Sequence, residues 1–219
     1  SGVVEFSLGM GYVARALLNA GFEVDTLCRD LDNVTDVIFK ERIRTSDADI
    51  FAIGGMYGSF PDFIKICAEL RNLKPNVPIV LGGALPTSSP EHVLAMTGAD
   101  VACIGPAEDY VAELFEILAT GGDASTIKDI CLRDTDGAFH RTPVGTQPKL
   151  EKTGQKTWPA WEAFDGGAYT RGAAYYPFLP SDVIAPILTS RGCPYSCNFC
   201  FQPMAYRCRP LDDVFDEME

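Results

Sequence analysis

The sequence predicts an α/β protein: a doubly wound, flavodoxin-like or Rossmann-type parallel sheet, then a connector, then the start of a second βα module. Three observations predict it. From residue 1 to about 125, short β-branched apolar runs alternate with amphipathic stretches, the pattern of repeated βα units. Several of those apolar runs end directly in glycine. Beyond them, an aromatic-rich stretch without periodicity leads to a last apolar run that feeds a tight group of cysteines.

The chain opens on a short candidate strand, Val3–Ser7, ahead of a helix over Gly9–Ala20 that Gly21 closes. Strands are predicted at Glu23–Cys28, Ile50–Ile53, Pro78–Leu81 and Val101–Ile104; unbroken apolar runs of this kind suit strands covered on both faces. Phe63, Ile66, Cys67, Leu70 and Leu73 recur at helical spacing before Pro75. Tyr110, Leu114, Phe115 and Leu118 do the same before Gly121-Gly122. Ile130–Thr142 carries the turn Asp134-Thr135-Asp136-Gly137 between Cys131-Leu132 and Phe139, a hairpin signal that closes a first domain over 1–142. Residues 143–183 hold Trp158-Pro159-Ala160-Trp161 and Tyr175-Tyr176-Pro177-Phe178, too aromatic for a free linker and expected to pack as an ordered connector. Ile184–Leu188 then predicts a buried strand that opens the last segment, 184–219.

Charge narrows the function classes. Lys and Arg number 18 against 30 Asp and Glu, a net charge of −12, so the surface field repels phosphate polyanions and no nucleic-acid partner is expected. No apolar run approaches the roughly 20 residues that span a bilayer. Ser1-Gly2-Val3-Val4-Glu5 lacks the basic flank and apolar core of a signal peptide. The expectation is a soluble cytoplasmic protein with no membrane partner.

Gly54-Gly55, Gly82-Gly83 and Gly105 each follow an apolar run. Glycine there lets a ligand approach the backbone at the carboxyl edge of the sheet, where open α/β folds bind ligands. The plain alternative is a set of tight strand-to-helix turns. Three such sites at equivalent places favour a cofactor crevice.

The cysteines fall into two groups. Cys28, Cys67, Cys103 and Cys131 are scattered in or beside apolar runs, as small buried hydrophobes are. Cys193, Cys197, Cys200 and Cys208 crowd together near the C-terminus, where a local group in a cytosolic chain suggests metal rather than disulfides. Three thiolates spaced C-x3-C-x2-C can hold three corners of a 4Fe-4S cubane and leave the fourth iron open. Zinc is the competing reading. A structural zinc site wants four ligands, and neither His92 nor His140 lies nearby, although Cys208 could serve as the fourth.

Cys193-x3-Cys197-x-Phe199-Cys200, preceded by Arg191-Gly192, resembles the signature loop of radical S-adenosylmethionine enzymes. The resemblance implies that Cys193, Cys197 and Cys200 hold a 4Fe-4S cluster and that the open iron binds S-adenosylmethionine, which an electron cleaves to a 5′-deoxyadenosyl radical. It places Phe199 near the adenine, and a reducing partner such as a flavodoxin or ferredoxin is expected. Tyr206-Arg207-Cys208-Arg209-Pro210 and the acidic stretch with Asp212, Asp213 and Glu217 look like the passage into the first helix of a partial (βα) barrel, with Cys208 structural. Arg191 is open to two roles, neutralising charge at the cluster or making a plain structural hydrogen bond.

The upstream half resembles the cobalamin-binding domain of one subgroup of that family. The residues that carry the likeness are Leu8-Gly9-Met10-Gly11-Tyr12, Val80-Leu81-Gly82-Gly83-Ala84-Leu85-Pro86-Thr87 and Pro90-Glu91, with Trp158-Pro159-Ala160-Trp161 and Tyr169 like its connector. The resemblance implies cobalamin contacts from Gly54, Gly55, Gly82, Gly83, Thr87, Gly105 and Glu108. Two departures stand out. Gly105-Pro106-Ala107-Glu108 replaces the usual Gly-Glu-Gly-Glu, with Glu108 keeping part of that contact, and the D-x-H-x-x-G source of an axial histidine is missing.

The implied function is a cobalamin-dependent radical S-adenosylmethionine enzyme acting on a small-molecule substrate. Methyl transfer to an unactivated carbon or phosphorus centre is expected ahead of cyclisation or rearrangement. Only 19 residues follow Cys200, too few for a complete barrel, so the chain is expected to be a piece of a longer enzyme, ahead of one completed by another chain, and inactive alone. The rival accounts are a corrinoid-binding and electron-transfer module without cleavage of the cosubstrate, and a scaffold whose sheet binds nothing.

Overall fold

The computed structural model describes residues 6–27, 34–134, 136–145, 157–164, 185–201 and 204–219. Most of the Val3–Ser7 candidate, Cys28, Tyr169, the Tyr175-Tyr176-Pro177-Phe178 run and Ile184 lie outside them. The chain divides into two compact units, Val37–Gln147 and Ser1–Asp36 with Pro148–Glu219. No helix among the described residues is long and apolar enough to cross a membrane.

Val37–Gln147 is built on a five-stranded sheet in the order β1-β2-β3-β4-β5. Strands β1 (Phe51–Gly55), β2 (Ile79–Gly83) and β3 (Val101–Cys103) are parallel. The hairpin strands β4 (Ile130–Arg133) and β5 (Phe139–Arg141) add antiparallel on the far side of β3. The runs in β2, β3 and β4 are covered as expected, with Ile79, Leu81, Val101 and Ile130 essentially inaccessible to water, whereas β1, at the edge of the sheet, has no buried residue and is not covered on both faces. Helix α3 (Phe60–Leu73) buries Phe63, Cys67 and Leu70 at helical spacing, and α6 (Val111–Ala119) buries Val111, Leu114 and Phe115. Three further helices, α2 (Asp36–Thr45), α4 (Ala84–Ser88) and α5 (Pro90–Thr97), complete the unit. The protein is thus α/β, with a mixed, largely parallel Rossmann-like sheet.

The other unit holds α1 (Leu8–Asn19), the connector residues 157–164, a two-stranded ladder and the last helix, α7 (Leu211–Met218). The ladder pairs β6 (Ser190–Arg191) with β7 (Arg207–Cys208), antiparallel.

The structure departs from expectation at several elements. Residues 23–27 form no strand, and 185–188 form none either; a ladder needs a partner, and within 185–191 it is Ser190–Arg191 that pairs, with Arg207–Cys208. Strands β1 and β2 run further than the apolar pattern indicates, because both glycine doublets stay inside the ladder, Gly54 opposite Gly82 and Gly55 opposite Gly83. Helix α2 has no apolar stripe to announce it, since only Phe39 and Ile43 are buried among charged neighbours.

Candidate functional site

At the carboxyl edge of the parallel strands the backbone itself is the surface. A side chain at Gly83 would drive its Cβ into the carbonyl oxygen of Gly55 and to 3.2 Å from the Gly55 nitrogen, and its φ of +101° suits only glycine. That close approach is what the two doublets make possible. Gly82 and Gly105 differ: a Cβ at either would meet nothing within 4 Å, so space lies open over the chain at the ends of β2 and β3.

Thr87, at the end of α4, stitches this edge together. Its hydroxyl donates to the Gly83 carbonyl at 2.7 Å and accepts from the Gly105 amide at 2.9 Å, which joins the turn after β2 to the turn after β3. The second turn is held from its other side as well. The Ile104 amide donates to the Asp129 carbonyl at 2.7 Å, and the Tyr110 hydroxyl donates to the same oxygen at 3.1 Å. Asp129 reaches this position with φ of 58° and accepts the Gly145 amide on its carboxylate at 2.9 Å. Glu108 sits half-buried on the same turn.

A cavity of about 560 Å3 lies at the opposite, amino edge, beside Asp100, Asp123, Arg133 and Asp134. Its carboxylates serve the fold: Asp100 takes Arg71 at 2.7 Å and the Ile79 amide at 2.8 Å, and Asp123 caps Ser125. It is remote from the glycine edge.

In the other unit, the ladder of β6 and β7 closes the cysteine loop at its base. Gly192 makes the closure possible: with φ of +76°, a Cβ there would clash with the Ala205 carbonyl oxygen and lie 2.7 Å from that of Met204. Cys193, Cys197 and Cys200 line one cavity of about 280 Å3 together with Tyr195 and Ser196. The Cys200 amide donates to the Cys197 carbonyl at 3.1 Å, so the last two thiols stand on one turn. Cys197 and Cys200 are exposed, and Phe199 between them is 89% exposed.

Among the described residues, no three His, Cys, Asp or Glu side chains converge on a point as ligands of a single ion do. A cubane is bound differently, each thiolate holding its own iron, so its ligands must ring a space. The arrangement of these three thiols fits that group. Cys208 lies outside the lining, opposite Ser190 in the ladder, and its thiol donates to the Tyr206 hydroxyl at 3.1 Å.

The B12 binding domain family matches residues 1–115. The chain belongs to that family. The anaerobic magnesium-protoporphyrin IX monomethyl ester cyclase of Synechocystis is 28% identical over 200 residues, which cover 89% of this chain and 38% of the cyclase. The cytidylyl-2-hydroxyethylphosphonate methyltransferase of Streptomyces wedmorensis is 26% identical over 97% of this chain and 48% of its own length. The chain therefore spans less than half the length of either relative. The radical S-adenosylmethionine methyltransferase TsrM of Kitasatospora setae, solved with tryptophan and a cosubstrate analogue, matches at a TM-score of 0.74 and 21% identity over 100% of this chain and 43% of its own, a likeness of fold.

In this B12 binding domain the glycines singled out in the sequence lie at one edge of the sheet, and the hydrogen bonds that pin that edge have no sequence signal. Thr87 is a contact residue by resemblance and a bridge between two turns by geometry. Asp129 has no sequence signal beyond its place before an apolar run, because a positive φ in a non-glycine residue leaves no pattern. His92 and His140 join neither group: His92 lies tilted near Phe60, ring centroids 5.8 Å apart, and His140 lies exposed on β5.

Proposed function

We propose that this chain is the corrinoid-binding and cluster-binding part of a cobalamin-dependent radical S-adenosylmethionine enzyme that transfers a methyl group to an unactivated centre of a small molecule. The observation that carries the reading is the ring of three thiols, Cys193, Cys197 and Cys200, around one cavity. When bound, a 4Fe-4S cluster supplies the electron that cleaves S-adenosylmethionine and a corrinoid supplies the methyl group.

The chain's own residues bind and orient. The three thiols hold the cluster, and Gly192 keeps the base of their loop closed. Phe199, exposed between two of them, offers its ring face to the adenine. Gly82 and Gly105 let the corrinoid lie against bare backbone, flanked by Gly54, Gly55, Gly83 and Glu108, while Thr87 holds the two turns in register. We assign 1–142 to corrinoid binding, 143–183 to the connector and 184–219 to the start of the radical module. A flavodoxin or ferredoxin supplies electrons, in a cytoplasm that keeps the thiols reduced.

The test is anaerobic reconstitution of the full-length protein with iron and sulfide, then addition of S-adenosylmethionine and a strong reductant. Release of 5′-deoxyadenosine from a protein carrying a 4Fe-4S spectrum is the expected result. A cluster that forms yet never cleaves the cosubstrate supports the binding-module account instead, and stoichiometric zinc in anoxically purified protein overturns the reading.

A further inference from the structure

Among the described residues, the loop that carries the thiols is closed at its base by a short ladder. Its ladder is two residues long on each side, and a ladder so short is marginal alone. Arg191 faces Arg207 across that ladder, and like charges directly opposite in an antiparallel pair repel.

One anchor is visible at the exit. Arg209 is buried, and its guanidinium reaches Asp213 at 2.7 Å, Glu217 and the Leu188 carbonyl at 2.7 Å, while its amide donates to Thr189 at 2.9 Å. The other is at the entrance and comes from the first helix. Tyr12, 8% exposed, lies with its ring centroid 5.0 Å from the Arg191 guanidinium carbon. A guanidinium over a buried aromatic face is attracted by the ring quadrupole, which gives Arg191 a place that Arg207 does not contest.

Tyr12 stands on a fixed support. The Gly11 carbonyl accepts the Ala160 amide at 2.9 Å, and a Cβ on Gly11 would come within 2.8 Å of both Phe6 and Pro159. Phe6 stacks on Trp161 with centroids 3.9 Å apart, and Arg15 Nε donates to the Trp158 carbonyl at 3.1 Å. The Gly9-Met10-Gly11-Tyr12 and Trp158-Pro159-Ala160-Trp161 motifs therefore interlock, and Tyr12 projects from the joint to the residue that leads into Gly192-Cys193.

We propose that Tyr12 is a positioning residue for the cysteine loop: its ring fixes Arg191 and thereby sets how Cys193, Cys197 and Cys200 present themselves to a cluster. The proposal rests on the reading of those cysteines as cluster ligands. It is tested in the full-length protein, reconstituted anaerobically, by the rate of iron loss to EDTA and by the EPR spectrum of the reduced cluster. Tyr12→Leu is expected to lose iron about tenfold faster with a shifted spectrum, and Tyr12→Phe, which keeps the ring, to match the wild type. Equal rates in Tyr12→Leu and wild type overturn the proposal and leave the cluster reading intact; so does a Tyr12→Phe variant as leaky as Tyr12→Leu. A wild-type protein that takes up no 4Fe-4S cluster overturns the cluster reading itself and the proposal with it. Should Tyr12→Leu fail to fold, Arg191→Gln decides the matter, with accelerated iron loss expected and an unchanged rate overturning.

Discussion

On the proposed reading, the glycine edge of the sheet and the cysteine loop would hold a large cofactor in opposite ways. At the edge, the binding surface is backbone carried by a packed sheet, with both turns after β2 and β3 pinned through Thr87 and Asp129. In the loop, the binding groups are side chains on an exposed turn whose base is a two-residue ladder. The first site is made by leaving atoms out and the second by putting ligands in. A mutation that tests the edge must therefore add atoms, and one that tests the loop must take them away.

The largest effect expected is at the loop. Cys197→Ala removes one of the three proposed ligands, so iron and sulfide in the reconstituted protein should fall to background while hydroxocobalamin binding is untouched. A variant that keeps a full cluster breaks the ligand assignment, and one that loses corrinoid as well breaks the assignment of corrinoid binding to the glycine edge alone.

Next come two neighbouring glycines that differ in backbone conformation and in what lies above them. Gly83→Ala forces a Cβ into the Gly55 backbone at positive φ and should destabilise the protein by about 2–5 kcal/mol, seen as a lowered urea midpoint. Gly82→Ala points its methyl into open space, so stability should stay within about 0.5 kcal/mol of wild type while hydroxocobalamin affinity falls. If Gly82→Ala binds corrinoid as tightly as wild type, the open space over β2 is not the corrinoid seat.

A smaller effect is expected from the stitch between the turns. Thr87→Val is close in shape but leaves the Gly105 amide and the Gly83 carbonyl without their partner, at a cost of about 1–3 kcal/mol. Titration with hydroxocobalamin should show weaker binding for Thr87→Val and recovery in Thr87→Ser, which keeps the hydroxyl. Weakening in both variants would mean that the methyl group, and not the bridge, is what the site uses.

Much of this was legible in the sequence because it rests on local pattern. The apolar runs at Ile79–Leu81 and Val101–Cys103, the spacing of Phe63, Cys67 and Leu70, and the Asp136-Gly137 turn each carry their own signal within a few residues. The C-x3-C-x2-C spacing is of the same kind. What stayed hidden depends on contacts across long sequence separations. Arg209 looks like a surface charge until Leu188, Asp213 and Glu217 surround it, and Tyr12 looks like a helix residue near a glycine until Arg191 arrives beneath its ring. The buried strand expected at Ile184–Leu188 fails for a related reason: residues 185–188 are neither paired nor buried, because an apolar run becomes a core strand only where neighbours bond and cover it.

The contrast between the two regions also divides the cysteines by chemistry. Burial pushes the Cys103 thiol up to about 12 and the Cys67 thiol up to about 11, because a thiolate in the core would lose its hydration without an adequate partner. Cys197 and Cys200 stand in solvent. In protein free of cluster at mildly alkaline pH, iodoacetamide should label Cys197 and Cys200 first, with Cys67 and Cys103 reacting only on unfolding, as mapped by peptide mass. The same displacement has a sign in stability. Above the ordinary thiol value of 9.0 the unfolded chain gives up these protons while the folded chain keeps them, so the unfolded state binds fewer protons and stability falls as pH rises from about 9 toward 11–12. Urea midpoints that stay flat across that window, in protein whose lysines and tyrosines are accounted for by a Cys67→Ala, Cys103→Ala control, would show that burial does not hold these two thiols protonated.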